Sequence, residues 1–116
     1  MTLSGLRVLI VEDEPIVAMC LEDILETLGC AIVGPAGRLS DGLALAESAA
    51  IDAAILDINL GGERSTPIAT VLQLRGVPFA FASGYGMAPE GFDEAPLIEK
   101  PYSDDDIAST LRLLLG

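Results

Sequence analysis

The sequence predicts an α/β fold, a doubly wound parallel sheet of five strands with helices on both faces. Five short, nearly continuous apolar runs recur along the 116 residues, which is how strands covered on both sides read. Helical patterns or helix-start signals stand between most of them, and strand–helix repetition means parallel neighbours joined by right-handed crossovers. Apolar residues make up 51% of the chain and charged residues 21%, a balance that suits a sheet buried between two layers of helices. The length fits one domain, residues 1–116, with a core large enough to need no disulfide or structural metal.

Leu6–Val11 is the first strand and ends in Glu12-Asp13. Pro15 suits the first turn of a helix, where its missing N–H costs nothing. Val17, Cys20, Leu21, Ile24 and Leu28 share one face of that helix, with Glu22, Asp23 and Glu26 directed away, and Gly29 closes it. On that face Cys20 reads as a small buried hydrophobe. Ala31–Gly34 is the second strand, ended by Gly34-Pro35, and Leu43–Ala50 is an Ala-rich helix. Ala53–Leu56 is the third strand and runs straight into Asp57. Gly61-Gly62 opens a loop. Thr66 and Pro67 suit the N-cap and first residue of a third helix reaching about Arg75. Val77–Ala82 is the fourth strand, ending in Ser83-Gly84. Leu97–Glu99 is a brief fifth strand, ending in Lys100-Pro101. Ser103 with Asp106 forms a capping-box-like start to the last helix, whose inner face is Ile107, Leu111 and Leu114. Between Ser83 and Lys100 the residues Gly84, Gly86, Pro89, Gly91 and Pro96 argue against a regular helix, so a fourth helix there is expected to be short or absent.

Charge narrows the function. Six basic against eighteen acidic residues give a net charge of −12, the wrong sign for neutralising nucleic-acid phosphates. The chain has no His, so the usual general base and the commonest zinc ligand are missing. Cys20 and Cys30 are too far apart for a redox CxxC and too few for a disulfide framework. Both are expected to be reduced, which fits the cytoplasm. No apolar run has the length of a membrane span, and the N-terminus lacks the pattern of a signal peptide. Nothing follows the last helix, so no output domain is expected.

The informative polar residues lie at strand ends. Glu12-Asp13, Asp57, Ser83 and Lys100 each follow directly on an apolar run, so all stand at carboxyl ends of parallel strands, where open α/β sheets bind ligands. Each has a plain explanation by itself: a helix-dipole partner, a loop-starting Asp, a turn Ser, a solvated Lys. Together at one edge they suggest chemistry. Three carboxylates brought together repel, and a hard divalent cation with oxygen ligands offsets that while neutralising charge on a transferring phosphoryl group. Lys100 adds a second positive charge, and Ser83 offers a hydroxyl donor. Asp57, alone at the end of the central strand, is the natural nucleophile for an acyl phosphate.

Val11-Glu12-Asp13-Glu14, Asp57-Ile58-Asn59, Ser83 and Lys100-Pro101 resemble the receiver domains of response regulators, and the match covers essentially the whole chain. The resemblance implies a flavodoxin-like sheet of strand order 2-1-3-4-5 and a signalling domain that is not an enzyme beyond its own phosphorylation and dephosphorylation. It implies Asp57 as phosphoacceptor, and Mg²⁺ (or Mn²⁺) held by Asp13, Asp57 and the backbone carbonyl of Asn59, with Glu12 acting through water. It implies Ser83 and Lys100 as phosphate-contacting residues, a histidine kinase or phosphotransfer protein as donor, and an unspecified downstream protein. More narrowly, Phe81-Ala82-Ser83-Gly84-Tyr85-Gly86, Asn59-Leu60-Gly61-Gly62-Glu63 and Gly34-Pro35-Ala36 resemble the FAT GUY receivers of alphaproteobacteria, which implies an HWE-type kinase.

Two positions depart from the ordinary receiver. The switch aromatic expected three residues before the Lys is Leu97, and only residues 84–99 separate Ser83 from Lys100, fewer than in a typical receiver. Order and disorder of residues 84–96 is the expected switch, with Tyr85, Met87 and Phe92 serving either as partner contacts or as a cover for the sheet edge. Competing readings fit less well. An aspartyl-phosphate phosphatase normally carries a second acid two residues after the nucleophile, where this chain has Asn59. An interaction module without the chemistry would not need the full constellation. A nucleotide-binding domain would show a GxGxxG or Walker sequence after the first strand.

Overall fold

The computed structural model describes residues 3–84 and 87–116. The elements follow as β1 (Arg7–Val11), α1 (Pro15–Thr27), β2 (Ala31–Ala36), α2 (Leu39–Ser48), β3 (Ala53–Asp57), β4 (Asn59–Leu60), β5 (Glu63–Arg64), α3 (Thr66–Leu74), β6 (Phe79–Ser83), β7 (Leu97–Glu99) and α4 (Asp104–Leu115). The main sheet has the order β2-β1-β3-β6-β7, and its pairs are all parallel. With the β4–β5 hairpin set aside this is the expected order 2-1-3-4-5.

Period-2 alternation divides the strands between two cores. Val8, Ile10, Ala53, Ile55, Ala80 and Ala82 pack under α1 and α4, against Leu21, Leu25, Ile107 and Leu111. Leu9, Val11, Ala54, Leu56, Phe79 and Phe81 pack under α2 and α3, against Ala46, Ile68 and Leu72. Every residue of β3 and β6 is buried, which is why those segments read as unbroken apolar runs. The last helix starts as expected: Ser103 Oγ accepts from the Asp106 N–H at 3.1 Å and Asp106 Oδ2 accepts from the Ser103 N–H at 3.1 Å.

Several expectations are corrected. The first strand begins at Arg7 and the fourth at Phe79, with Ser83 its last residue. β2 continues through Gly34-Pro35 to Ala36. The second helix spans Leu39–Ser48 rather than 43–50. Gly42, which the expected bounds left outside the helix, sits inside it where α2 approaches α3: a Cβ there would fall 2.5 Å from Ile68 Cδ1. Ser65, not Thr66, stands at the N-cap of α3. Cys20 is exposed while Cys30 is buried. The inner face of α1 is set by Ala18, Leu21, Ile24 and Leu25, and at 100° per residue Cys20 lies about 100° from its centre. Burial pushes the Cys30 thiol up from its ordinary value.

The stretch at Gly61-Gly62 is more than a loop. β4 and β5 pair antiparallel, Asn59 with Arg64 and Leu60 with Glu63. The two glycines form the turn at φ 58° and 95°, the left-handed region that a two-residue hairpin demands. Among the described residues no helix lies between β6 and β7. Phe92 from that segment packs edge-on against Phe79 and Phe81, with centroids 6.0 and 5.6 Å apart. It therefore covers the sheet rather than standing free for a partner. Met87 is 75% exposed, and Tyr85 lies outside the described residues.

Candidate functional site

The register of the sheet assembles the site. Val11 lies beside Leu56, so Glu12-Asp13 and Asp57 emerge at the same edge. Asp57 lies beside Ala82, and Ser83 beside Glu99, which brings Ser83 and Lys100 to that edge too. The Lys100 N–H donates to the Ser83 carbonyl at 3.2 Å. The predicted residues converge on one open cleft of about 510 Å³, whose lining includes Asp13, Asp57, Asn59, Ser83 and Lys100. Glu12, only 4% exposed, lies buried beside it.

The charges in this cleft are closely coupled. Lys100 Nζ lies 2.8 Å from Glu12 Oε1 and 3.3 Å from Asp57 Oδ1. Glu12 Oε2 accepts from the Glu14 N–H at 3.2 Å. Burial is the main reason the Asp57 carboxyl is pushed up to about 7, and Glu12 pushes it further while Lys100 pulls it down. Burial also works against the charge on Lys100, but Glu12 and Asp57 outweigh it and the ammonium is held above its ordinary value. Burial first, then the fields of Glu12 and Asp57, raise the neighbouring Tyr102 phenol.

The oxygen donors of Glu12, Asp13 and Asp57 lie within 4.8 Å of one another. That is a hard-ligand set of the kind divalent cations take. One lysine offsets one of the three carboxylates, so the fully ionised cluster keeps a net charge of −2. The residues therefore fit a divalent cation.

Sequence reasoning missed how the cluster is tied to the hairpin. The Gly61 N–H donates to Asp13 Oδ2 at 2.9 Å. The signal was present in Gly61-Gly62, a pair suited to a two-residue hairpin turn, although the flanking Asn59-Leu60 and Glu63-Arg64 carry little strand propensity. The Glu12–Lys100 pair was also missed, because nothing local relates residues so distant in sequence.

Known proteins agree with this geometry. The response regulator receiver domain family matches residues 8–112. SdrG from Sphingomonas melonis Fr1 is 44% identical over the whole of both chains, and its solution structure superposes with a TM-score of 0.86. The BeF3-activated conformation of SdrG from Pseudomonas melonis Fr1 is 45% identical over 97% of this chain and 99% of that one, with a TM-score of 0.79. The phyllosphere-induced regulator PhyR of Methylorubrum extorquens is 31% identical over 94% of this chain. The chain spans 43% of PhyR's length. Family, topology and strand-end residues lead to one assignment: the chain is a response regulator receiver domain of two-component signalling, of the FAT GUY type.

Proposed function

We propose that Asp57 accepts a phosphoryl group from a phosphohistidine, with Mg²⁺ or Mn²⁺ held by Asp13, Asp57 and the Asn59 carbonyl and reached by Glu12 through water. The observation that carries this reading is the placement of Asp57. It is a buried carboxylate opening onto a cleft, 3.3 Å from a lysine and within 4.8 Å of two further acids. The bound cation supplies positive charge that keeps Asp57 ionised and offsets the charge of the transferring group. An Asp57 carboxylate oxygen attacks phosphorus, a P–O bond forms as the P–N bond to the donor imidazole breaks, and the released imidazole nitrogen keeps the bond's electron pair and takes a proton from water. Lys100 follows the charge from the Asp57 carboxylate to a phosphoryl oxygen. The Ser83 hydroxyl donates to another phosphoryl oxygen, and the end of β6 moves with it.

The BeF3-activated conformation of SdrG supports the same reading, since a fluoroberyllate mimics a phosphoryl group on a carboxylate. The subgroup motif supports an HWE-type histidine kinase as donor. A phosphorylated kinase or a small phosphodonor should label the wild type only in the presence of Mg²⁺ or Mn²⁺, and Asp57→Asn should abolish the label. Label that persists in Asp57→Asn, or that forms equally well in chelator, would overturn the assignment.

A further inference from the structure

We infer that the β4–β5 hairpin is the element that sets divalent-cation affinity, acting through the length of its turn. The inference rests on the cation site proposed above and adds an element that orients the ligands. Two observations meet in this hairpin. The first is the Gly61 N–H donated to Asp13 Oδ2 at 2.9 Å. In a two-residue hairpin the first turn residue has no ladder partner for its N–H, so that donor is available. It occupies one carboxylate oxygen and fixes the orientation of the other.

The second observation is the register. Leu60 and Glu63 close the turn, and antiparallel pairs alternate between hydrogen-bonded and non-hydrogen-bonded. The closing pair is hydrogen-bonded, so Asn59–Arg64 is not. The next pair confirms the phase, because the Ser65 N–H donates to the Ile58 carbonyl at 2.9 Å. The Asn59 carbonyl is therefore turned away from β5 and is not spent on the ladder. One hairpin thus leaves a backbone oxygen free for the cation and holds a carboxylate ligand from β1's end. Leu60, 3% exposed, anchors it in the core beneath α3. A one-residue change in the turn reverses the alternation. It would draw the Asn59 carbonyl into the ladder and displace the Gly61 donor together.

Outer partners of metal ligands typically change affinity by about 10- to 100-fold when removed. Three variants test this by calorimetric titration with Mg²⁺, alongside metal-free melting and circular dichroism. Gly61→Asn keeps the turn length, the N–H and a residue that tolerates positive φ, and a side chain there meets nothing within 4 Å. Its dissociation constant should stay within about twofold of wild type. One glycine inserted between Gly61 and Gly62 should weaken Mg²⁺ binding at least about tenfold, with metal-free melting and circular dichroism little changed, because the hairpin lies outside the main sheet. Gly62→Val disfavours the turn without changing its length and should weaken binding as well. It carries the test if the insertion variant fails to melt cooperatively. Wild-type affinity in both the insertion and Gly62→Val variants would overturn the inference. So would an equal loss in Gly61→Asn, which would point to the glycine itself rather than the turn. A wild type that binds no Mg²⁺ would overturn the cation site instead, and the hairpin inference with it.

Discussion

Asp57 answers two opposed demands. To serve as the proposed phosphoacceptor it must be ionised, yet burial and Glu12 hold its carboxyl at about 7 in the metal-free protein. Unfolded, the same carboxyl titrates near 3.8. The folded state therefore binds this proton more tightly, and the stability it contributes is present below about pH 4 and lost as pH rises toward 7. Asp52 behaves oppositely. Hydrogen bonds from the Arg7 side chain and N–H hold it at about 2, so its contribution is present above pH 3.8 and disappears only at lower pH. In chelator, melting temperatures of wild type and Asp57→Asn measured from pH 4 to 7 should diverge, the wild type falling relative to the amide variant. Saturating Mg²⁺ should cancel that relative fall, because the cation binds the ionised form. Parallel melting curves for the two proteins across the window would show that Asp57 does not titrate there.

The elements show where a sequence is legible and where it is not. Strand existence was readable because residues 8–11 of β1, 53–56 of β3 and 79–82 of β6 are buried on both faces and so have no polar interruptions. The shared edge of Glu12, Asp13, Asp57, Ser83 and Lys100 was readable because a strand end is a local feature. Gly42 was not readable, because its role depends on a side chain 26 positions away. Local propensity marks glycine as a breaker, whereas here the missing Cβ lets α2 approach Ile68. Cys20 was misplaced because an apolar pattern containing Val17 and Leu28 tolerates more than one helix phase. The turn at Gly61-Gly62 was legible in chemistry but was read as a loop, since two-residue strands leave no alternation to count. Gly42→Ala should gain about 1 kcal/mol of helix propensity and lose more to overpacking, typically about 1–3 kcal/mol, because Ile68 is fully buried and has little room to turn. The expected sum is a destabilisation of about 1 kcal/mol. Ile68→Val removes the Cδ1 atom in conflict, so in that background Gly42→Ala should become neutral or stabilising. Equal effects in both backgrounds, measured by urea unfolding, would mean that the close approach is not the constraint.

At the scale of the whole molecule, a signal from phosphorylation at the proposed site would have to leave the cleft without an aromatic at Leu97. The structure offers another ring in a suitable place. Phe79, Phe81 and Ser83 alternate onto one face of β6, and Phe92 rests edge-on against the first two. A shift of the strand end that carries Ser83 toward Asp57 is therefore felt at the ring two residues earlier and at the segment resting on it. That segment, residues 87–96, has no helix and few hydrogen bonds of its own: Phe92 N–H to the Pro89 carbonyl at 3.0 Å and Ala95 N–H to the Phe92 carbonyl at 3.1 Å are its internal backbone bonds among the described residues. Segments so lightly held open at low free energy, and order–disorder of such a segment is a known switching mode. Hydrogen exchange with and without fluoroberyllate and Mg²⁺ should therefore change most within residues 87–96. Phe92→Ala should raise exchange there in both states and remove most of the difference between them, while leaving fluoroberyllate binding at Asp57 in place. A difference that survives in Phe92→Ala, or whose largest part falls in α1 or α2, would place the switch elsewhere. The ring contacts would then serve only to cover the sheet.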